Sequence, residues 1–449
     1  MVNSGLLLLV IILAFLMSIV IINRFFNQKI LKFLDWFIVS LTVFNGIGFV
    51  FVLCATLAGR NSISWSQYIN QFDNETVILY IMSSVILGLG AVFGWIFTDK
   101  ITPSVKNKKN QDVDSLIQYL RKAKQVAWIM FFLGVFFYWL YSRAYGGFIG
   151  LLGYSFAIRS GIARVSNPLS FFQRFGGFSF FSSYLFFGLL LDRYVSRSRK
   201  KECLIGFVMS FLFSIYVLYS WAGRVMLLTY MTTFVLSYLL YKYTSKVKLV
   251  RKLVVVAICL PIALMGISNW LGRTHGEYSI VELFARELSF PYASYIVQLK
   301  KGEYRFFKDI AIAPLYLLPQ RIWSQKLNIE SASSFNTFVF SGARKGVAGV
   351  TGEVPVDLLT FAYMQASVIG VVVVGFLWGS ILLKLERICL KIEADGIRMV
   401  MYALFVLDIC VLTVLYGDPQ HVIVRNFHMI VGFLFLTLVR HASFGCRTG

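Results

Sequence analysis

The chain has 449 residues, of which 58% are apolar and only 14% are charged, and its mean hydropathy is +0.73. A soluble globular domain carries about 25% charged residues, so this composition excludes the soluble class and indicates an integral membrane protein. The formal net charge of +22 is compatible with nucleic-acid binding. The basic residues, however, lie in short segments between apolar runs, where they act as signals of membrane orientation, so no nucleic-acid partner is expected.

About eleven segments are long and apolar enough to cross a bilayer, which takes about 20 residues per helix. We interpret the first as a retained helix rather than a signal peptide, because no basic residue precedes it and no cleavage site follows it. The sequence predicts an all-α polytopic membrane protein, with eight helices in residues 1–271, a large external loop at 272–358 and three helices in 359–449, together one membrane domain. The predicted spans are 5–23, 35–57, 77–97, 125–142, 175–191, 203–222, 225–241, 253–271, 359–383, 399–416 and 421–439.

Lysine and arginine are unevenly divided between alternate loops. One set of loops holds 26 of them and the other holds 17, of which ten lie in the segment 272–358. Long loops translocate regardless of their charge, so the segment 272–358 is left out of the count. The orientation then follows from 26 basic residues in one set of loops against seven in the other. The N-terminus and the loop 272–358 are therefore expected outside, in the periplasm, and the C-terminus in the cytoplasm.

The segment 272–358 is expected to be partly ordered and to bind anions. Ser279 and Glu282 form a capping-box pattern that opens a helix, and the apolar stretch 311–319 is too short to span, which favours an interfacial or re-entrant helix. Recurring glycines in 341–355 predict a mobile strap that could gate a substrate cleft. Five arginines of the segment are candidates for contacts with an anionic substrate: Arg273, Arg286, Arg305, Arg321 and Arg344.

Other arginines lie in the predicted external loop 143–174, with no Asp or Glu between them. They hold a positive field at the membrane surface, and guanidinium groups bind phosphate oxygens in bidentate fashion. Phosphate or substrate binding is the favoured interpretation, and contact with lipid headgroups and simple solvation stay open. The four residues are Arg143, Arg159, Arg164 and Arg174.

Two further basic positions lie near predicted membrane boundaries. Arg224 lies at a break between two spans with no adjacent acid, where its charge costs free energy unless it is paired or reaches water. We interpret it as functional, and an arginine that snorkels to the interface is the alternative. His421, Arg425 and His428 are spaced i, i+4 and i+7, so a single helix would place them on one face, just after Asp418. That face is either a diphosphate site or a hydrogen-bonded packing seam.

Candidate general bases are the carboxylates at the outer end of the span 359–383. Glu353 and Asp357 could deprotonate a sugar hydroxyl there, and Glu277 beside His275 is a second choice. Residues 112–114 form a D-x-D pattern, but they lie in a lysine-rich cytoplasmic loop and are assigned no metal. No C-x-x-C pattern occurs either, so no metal and no cofactor are expected.

The plan of about eleven spans with one large late external loop resembles the Wzy-type O-antigen or capsular polysaccharide polymerases of bacterial envelopes. Two motifs carry the resemblance, Ala-Gly-Arg-Val-Met-Leu-Leu at 222–228 and Phe-Ala-Tyr-Met-Gln-Ala-Ser-Val-Ile-Gly at 361–370. The family's external Arg followed by Gly eleven positions later is missing. The histidine of the related O-antigen ligases is also missing, since Val356 and Asp357 stand in that segment.

The resemblance implies a GT-C-like glycosyltransferase of the inner membrane. Donor and acceptor would be undecaprenyl-diphosphate-linked glycans, the lipid diphosphate would leave without help from a metal, and a chain-length-regulating co-polymerase is the partner that the family implies. A lipid-linked oligosaccharide flippase and an O-antigen ligase are the alternatives. The residues expected to contact diphosphate or glycan are Arg224, Arg286, Arg159, Arg164, Arg425, His421 and Arg344, with Glu353 or Asp357 as base.

Overall fold

The structure, a computed structural model, describes residues 31–57, 66–102, 113–160, 165–243, 289–350 and 352–444. Between 244 and 288 it describes ten single residues: Leu249, Lys252, Val255, Cys259, Ala263, Gly266, Glu282, Ala285, Arg286 and Leu288. Several predicted features lie outside the described residues, namely the span 5–23, most of the span 253–271, Asp112, Arg164, Arg273, His275, Glu277 and Ser279.

Every regular element in the described part of the chain is a helix, and these ranges contain no strand. Eight of the helices are long and apolar enough to cross a membrane, or nine if a bent pair is counted as one span. This confirms the prediction of an all-α polytopic membrane protein. The helices are α1 (Phe33–Thr56), α2 (Ser66–Ile69), α3 (Asn74–Ile101), α4 (Val113–Tyr145), α5 (Gly147–Ser160), α6 (Ser170–Leu191), α7 (Arg197–Ser220), α8 (Arg224–Lys242), α9 (Phe290–Lys301), α10 (Lys308–Ala311), α11 (Ala332–Ser341), α12 (Leu358–Leu390), α13 (Asp395–Leu415), α14 (Pro419–Arg425) and α15 (Phe427–Phe444).

The predicted spans coincide with helices wherever the chain is continuously described, but some of the helices are longer. The helix α4 begins at Val113 rather than near residue 125, because a helix continues past the membrane surface when its sequence stays helix-forming. The last predicted span is a pair of helices, α14 and α15, bent by 55°. Since the helix breaks between Arg425 and Phe427, the expectation of one continuous face for His421, Arg425 and His428 does not hold for His428.

The described helices group into two compact units. Unit 1 comprises Met1–Ser104, Gly272–Glu386 and Phe405–Val422, and unit 2 comprises Val105–Leu271, Arg387–Leu404 and Ile423–Gly449. The segment 272–358 is predicted to be external and is called the external segment below. Its described part belongs to unit 1 as α9, α10, α11 and their connections. Its apolar stretch 311–319 forms a short 3₁₀ helix, Ala313–Leu317.

Glycines allow two helices of unit 1 to pack in direct backbone contact. Gly90 and Gly94 on α3 face Gly375 and Gly379 on α12. A Cβ added at Gly94 would overlap the carbonyl of Phe376. This repeated small-xxx-small spacing is how membrane helices approach closely when lipid removes the hydrophobic drive for association.

The substitution Gly94→Ala is expected to destabilise unit 1 by about 1–3 kcal/mol, because the added methyl group must displace backbone rather than a flexible side chain. The measurement is the melting temperature of the full-length protein in detergent. Gly88→Ala is the matched control, since a Cβ there would lie 3.5 Å from the nearest atom, a methyl of Ile38, in ordinary contact. Equal melting temperatures for the two variants would contradict this packing.

The helix α9 is anchored to α1 through an irregular turn. Residues Thr42–Gly48 of α1 are π-helical, which leaves a carbonyl available for another partner. The hydroxyl of Tyr292 on α9 donates to the carbonyl oxygen of Phe44 at 2.6 Å, and the absent side chain of Gly48 makes room for that hydroxyl. The helix α9 is thus hydrogen-bonded to the membrane helix α1.

The core of unit 2 combines aromatic rings with buried serines. Ser179, Ser183 and Ser214 on α6 and α7 are fully buried, and the oxygens of Ser183 and Tyr230 lie 2.8 Å apart. Hydroxyl groups bonded to backbone or to each other let helices α6, α7 and α8 approach closely in an apolar setting.

Candidate functional site

A buried ion pair fixes the middle of the external segment in unit 1. Arg305 contacts both carboxylate oxygens of Asp309, with Nε 2.6 Å from Oδ2 and Nη2 2.7 Å from Oδ1. The side chains are 9% and 0% exposed. Nη2 of Arg305 also donates to the carbonyl of Glu330 at 2.8 Å. Arg305 was expected to be one of the cations available to an anionic substrate, but its guanidinium is engaged by this structural contact.

The backbone beside this ion pair stabilises a break in α12. The backbone N–H groups of Arg305 and Phe306 donate to the carbonyls of Met364 and Gln365, each at 2.8 Å. The helix is interrupted directly afterwards, where Ala366 and Ser367 leave helical geometry and Ser367 has φ of 53°. Donors from the external segment thus replace the donors that a continuous helix would supply. The stretch Leu358–Gln365 therefore belongs structurally with the external segment.

The histidine at the start of α14 is held by two buried polar groups. Nδ1 of His421 lies 3.2 Å from Oγ of Ser333 and 3.8 Å from Oδ2 of Asp418. The His421 side chain is 35% exposed, whereas Ser333 and Asp418 are fully buried. Among the described residues no hydrogen bond engages Nε2, so the ring is fixed through one nitrogen and offers the other.

This arrangement is not a nucleophilic triad. A Ser-His-Asp triad places serine and aspartate at opposite nitrogens of the imidazole, whereas Ser333 and Asp418 both face Nδ1. Ser333 therefore orients the ring, and the chemistry open to His421 is proton transfer at Nε2 with a group outside this cluster. The buried serine contributes position rather than a nucleophile.

Hydrogen bonds stabilise the ionised form of the Asp418 carboxylate. Its Oδ2 accepts the backbone N–H of Ser333 at 2.8 Å, and its Oδ1 accepts that of Gln420 at 2.8 Å. Burial raises the pKa of Asp418, but interactions with His421 and Ser333 outweigh burial, so the pKa lies below its usual value. An ionised carboxylate beside Nδ1 stabilises a positive charge on the ring.

A buried polar layer connects this histidine to the beginning of α12. Thr337 and Asn336 on α11 bind the backbone of Val354 at 2.9 and 3.2 Å. The N–H of Gly417 then donates to the carbonyl of Val356 at 2.8 Å. The backbone positions next to Asp357 and next to Asp418 are therefore directly bonded. The end of the glycine-rich strap is fixed by these contacts.

Asp357 is a buried carboxyl with one satisfied oxygen. It is 1% exposed, and Oδ2 accepts the N–H groups of Leu359 and Thr360 at 3.2 and 3.3 Å, as an N-cap does. Oδ1 has no hydrogen-bond partner among the described residues. Burial raises the pKa of Asp357 to about 7. Its role as a base stays a prediction. In this conformation the buried carboxyl has no access to a sugar hydroxyl.

The substitution Asp357→Asn is expected to stabilise the protein at pH 8. A carboxyl whose pKa is raised on folding binds more protons folded than unfolded between its usual pKa and about 7, so stability falls as pH rises through that window. Asparagine keeps the cap without the charge. Melting curves at pH 5 and pH 8 measure the effect. A variant less stable than the wild type at pH 8 would show that the ionised carboxylate is required.

In unit 2, Arg159 contacts the turn that precedes Arg224. Arg159 on α5 donates to the carbonyl of Trp221 at 3.4 Å and to the carbonyl of Ala222, at the end of α7. Ala222 has φ of 47°, and Arg224 begins α8 two residues later. Arg159 is exposed and Arg224 half-buried. The predicted break at Arg224 is confirmed, and the guanidinium of Arg159 caps the helix that ends there.

The remaining candidates lie in different surroundings. Arg286 and Glu353 are exposed, and Arg425 is half-buried. Arg344 is 65% exposed on its side chain and pairs with Glu330 at 3.0 Å, an exposed contact that an anion can replace. The three arginines stay predicted contacts, and Glu353 stays a candidate base.

The exposed surface of the external segment is basic. Between residues 286 and 357, the exposed acids in the described part are Glu303 and Glu353. The exposed cations there are Arg286, Lys300, Lys301, Lys308, Arg321, Lys326, Arg344 and Lys345. This excess of positive charge attracts anionic groups to the segment that contains Ser333 and Asp357.

Sequence reasoning named His421 and Asp418 but not their partner Ser333. The sequence signal at Asp418 is an N-cap aspartate followed by proline at the first helical position. The Arg305 and Asp309 pair has i, i+4 spacing, which could have marked it as a pair rather than a free cation. Comparison of the chain with protein-family models, with curated proteins and with solved structures found no match.

Proposed function

We propose that this chain polymerises undecaprenyl-diphosphate-linked oligosaccharide repeat units into O-antigen or capsular polysaccharide at the outer face of the bacterial inner membrane. One observation carries the proposal. In unit 1, a histidine oriented through Nδ1 by Ser333 and Asp418 offers Nε2, and it contacts a segment whose exposed surface is strongly basic. A proton acceptor beside a surface that attracts anions suits glycosyl transfer from a lipid diphosphate.

The reaction needs one proton acceptor and a stabilised leaving group. The hydroxyl oxygen of the acceptor glycan attacks the sugar carbon that bears the diphosphate, and its proton passes to Nε2 of His421. The bond between that carbon and the diphosphate oxygen breaks, and its electron pair leaves with the lipid diphosphate. Ionised Asp418 stabilises the imidazolium that results. The proton is then released to water or to the departing diphosphate.

His421 fits the role of base better than the carboxylates first considered. Asp357 is buried and caps its own helix, and Glu353 is exposed with nothing to orient it among the contacts described above. His421 combines partial exposure with a fixed ring, and a base must be both reachable and positioned. Glu353 and Asp357 remain alternative bases that substitutions can separate.

Arginine and lysine supply the charge that the leaving group requires. In unit 1 the exposed Arg286 and Arg344 suit diphosphate oxygens. Arg224, Arg159 and Arg425 belong to unit 2 and stay separate predicted contacts with diphosphate or glycan. Each arginine contact to the developing charge in a water-poor site is worth up to about 3 kcal/mol. The proposal therefore needs no metal and no cofactor.

Two rivals share parts of this description. A flippase would move the lipid-linked unit across the bilayer without breaking the sugar–phosphate bond, and it would place ionisable residues along a path through the membrane. A ligase would transfer finished glycan to a different acceptor. The positioned His421 favours transfer over transport.

The test is a reconstitution with one substrate. The purified full-length protein is given lipid-linked repeat units alone, and products are separated by size. A ladder of lipid-linked oligomers is the expected result, and a co-polymerase added to the same reaction would change its length distribution. Unchanged monomer would contradict the polymerase assignment, and transfer occurring only after a foreign glycan acceptor is added would favour a ligase.

A further inference from the structure

A basic cavity lies at one end of unit 2, apart from every residue used above. It occupies about 590 Å³ between α4 and α7. Arg121, Lys124 and Arg199 line it together with a single acid, Glu202. Lys124 and Glu202 neutralise each other at 2.6 Å, so the net charge of the lining comes from the two arginines.

The other wall of the cavity is apolar. Trp128 and Ile129 follow Lys124 by about one turn of α4, and the neutral Gln125 completes the lining. The rings of Trp128 and Phe132 stack at 5.6 Å, which extends this wall along the helix. A ligand that fills the cavity therefore has one anionic part and one apolar part.

The cavity lies where the helix surfaces change from basic to lipid-facing. From Ile129 onward, apolar side chains are exposed on both helices, with Ile129 at 49% and Phe132 at 59% on α4, and Ile205 at 58% on α7. Exposed large apolar side chains on membrane-length helices face acyl chains. The arginines therefore lie at the level of lipid phosphates, on the side that the Lys/Arg distribution predicts to be cytoplasmic.

We propose that this cavity binds the headgroup of an anionic phospholipid. The phosphodiester would contact the guanidinium groups of Arg121 and Arg199, which recognise phosphate oxygens in bidentate fashion. The acyl chains would follow Trp128, Ile129 and Phe132. Basic pockets between helices at the cytoplasmic surface are suited to such headgroups. A soluble phosphate would leave the apolar wall in water, so the lipid is the occupant that uses both walls.

The site is separate from the proposed glycan chemistry, and its test does not depend on that chemistry. The purified full-length protein in detergent is titrated with phosphatidylglycerol or phosphatidylcholine, and bound lipids are counted by native mass spectrometry. The wild type is expected to retain phosphatidylglycerol over phosphatidylcholine. The double variant Arg121→Gln/Arg199→Gln, which keeps the Lys124–Glu202 pair, should lose that preference by about fivefold per charge removed.

The matched control is Arg197→Gln/Lys201→Gln, which removes the same charge from exposed positions of α7 outside the cavity lining. It should bind phosphatidylglycerol like the wild type. Equal losses in both double variants would overturn the proposal in favour of diffuse surface charge. Equal retention of the two lipids by the wild type would overturn it as well, and so would displacement of phosphatidylglycerol by millimolar inorganic phosphate, which would identify a soluble ligand. Arg199→Lys keeps the charge and should retain a reduced preference for phosphatidylglycerol. This variant tests the site if the double variant does not fold.

Discussion

Replacing His421 by alanine is expected to slow the joining of repeat units by roughly 10²–10⁴-fold, the usual contribution of a positioned general base. The loss arises because Nε2 is the group offered to the acceptor hydroxyl, while Nδ1 is engaged by Ser333 and Asp418. The measurement is the initial rate of oligomer formation by purified protein from lipid-linked repeat units. Expression and melting temperature are followed in the same preparations.

His421→Asn is the matched control for folding. The asparagine amide can occupy the position of Nδ1 and bind the same partners, but it cannot accept a proton at neutral pH. The variant should therefore fold like the wild type and be as slow as His421→Ala. Ser333→Ala removes one neutral contact and should cost only about fivefold in rate. A well-folded His421→Asn that retains the wild-type rate would remove His421 from the mechanism.

Replacing Asp309 by alanine is expected to cost roughly 3–5 kcal/mol of stability, because it leaves the buried guanidinium of Arg305 without its carboxylate. The pair is 9% and 0% exposed, and Gln365 donates to the same carboxylate at 3.1 Å. Since Arg305 also carries the backbone contact that stabilises the break in α12, the loss should spread to the start of that helix. Unfolding in detergent and hydrogen exchange at residues 358–365 measure the two effects.

The exposed pair of Arg344 and Glu330 provides the comparison. Glu330→Gln removes that ion pair but keeps the backbone carbonyl bound by Arg305, and it should cost less than about 1 kcal/mol. Replacing both buried partners, as Arg305→Met/Asp309→Leu, should recover part of the loss, because no charge is then left buried. If Asp309→Ala proves no more harmful than Glu330→Gln, the ion pair is not the structural centre of the segment.

The sequence was sufficient for the features that depend on local pattern. Apolar length located the spans, because a bilayer sets the length of a helix, and the break at Arg224 followed from the gap between two apolar segments. The rest depends on contacts between distant parts of the chain. Ser333 and His421 are 88 positions apart, so no local pattern could pair them.

The break in α12 shows the same limit in physical terms. Residues 361–370 contain no proline, and their pattern favours a continuous helix. The helix is interrupted because the N–H groups of Arg305 and Phe306 compete for carbonyls that the helix would otherwise satisfy itself. The guanidinium of Arg305 was expected to contact substrate, but it pairs with Asp309. The sequence alone does not separate the two roles, since a buried ion pair and a substrate contact use the same residue type.

The most direct test of the central claim is a mass balance on the purified protein. Lipid-linked repeat units labelled in both lipid and glycan are supplied, and new glycosidic linkages and released undecaprenyl diphosphate are counted together. Glycosyl transfer with the lipid diphosphate as leaving group predicts one diphosphate released for each linkage formed, with both falling together in His421→Asn. Transbilayer movement of intact substrate with no diphosphate released would contradict it.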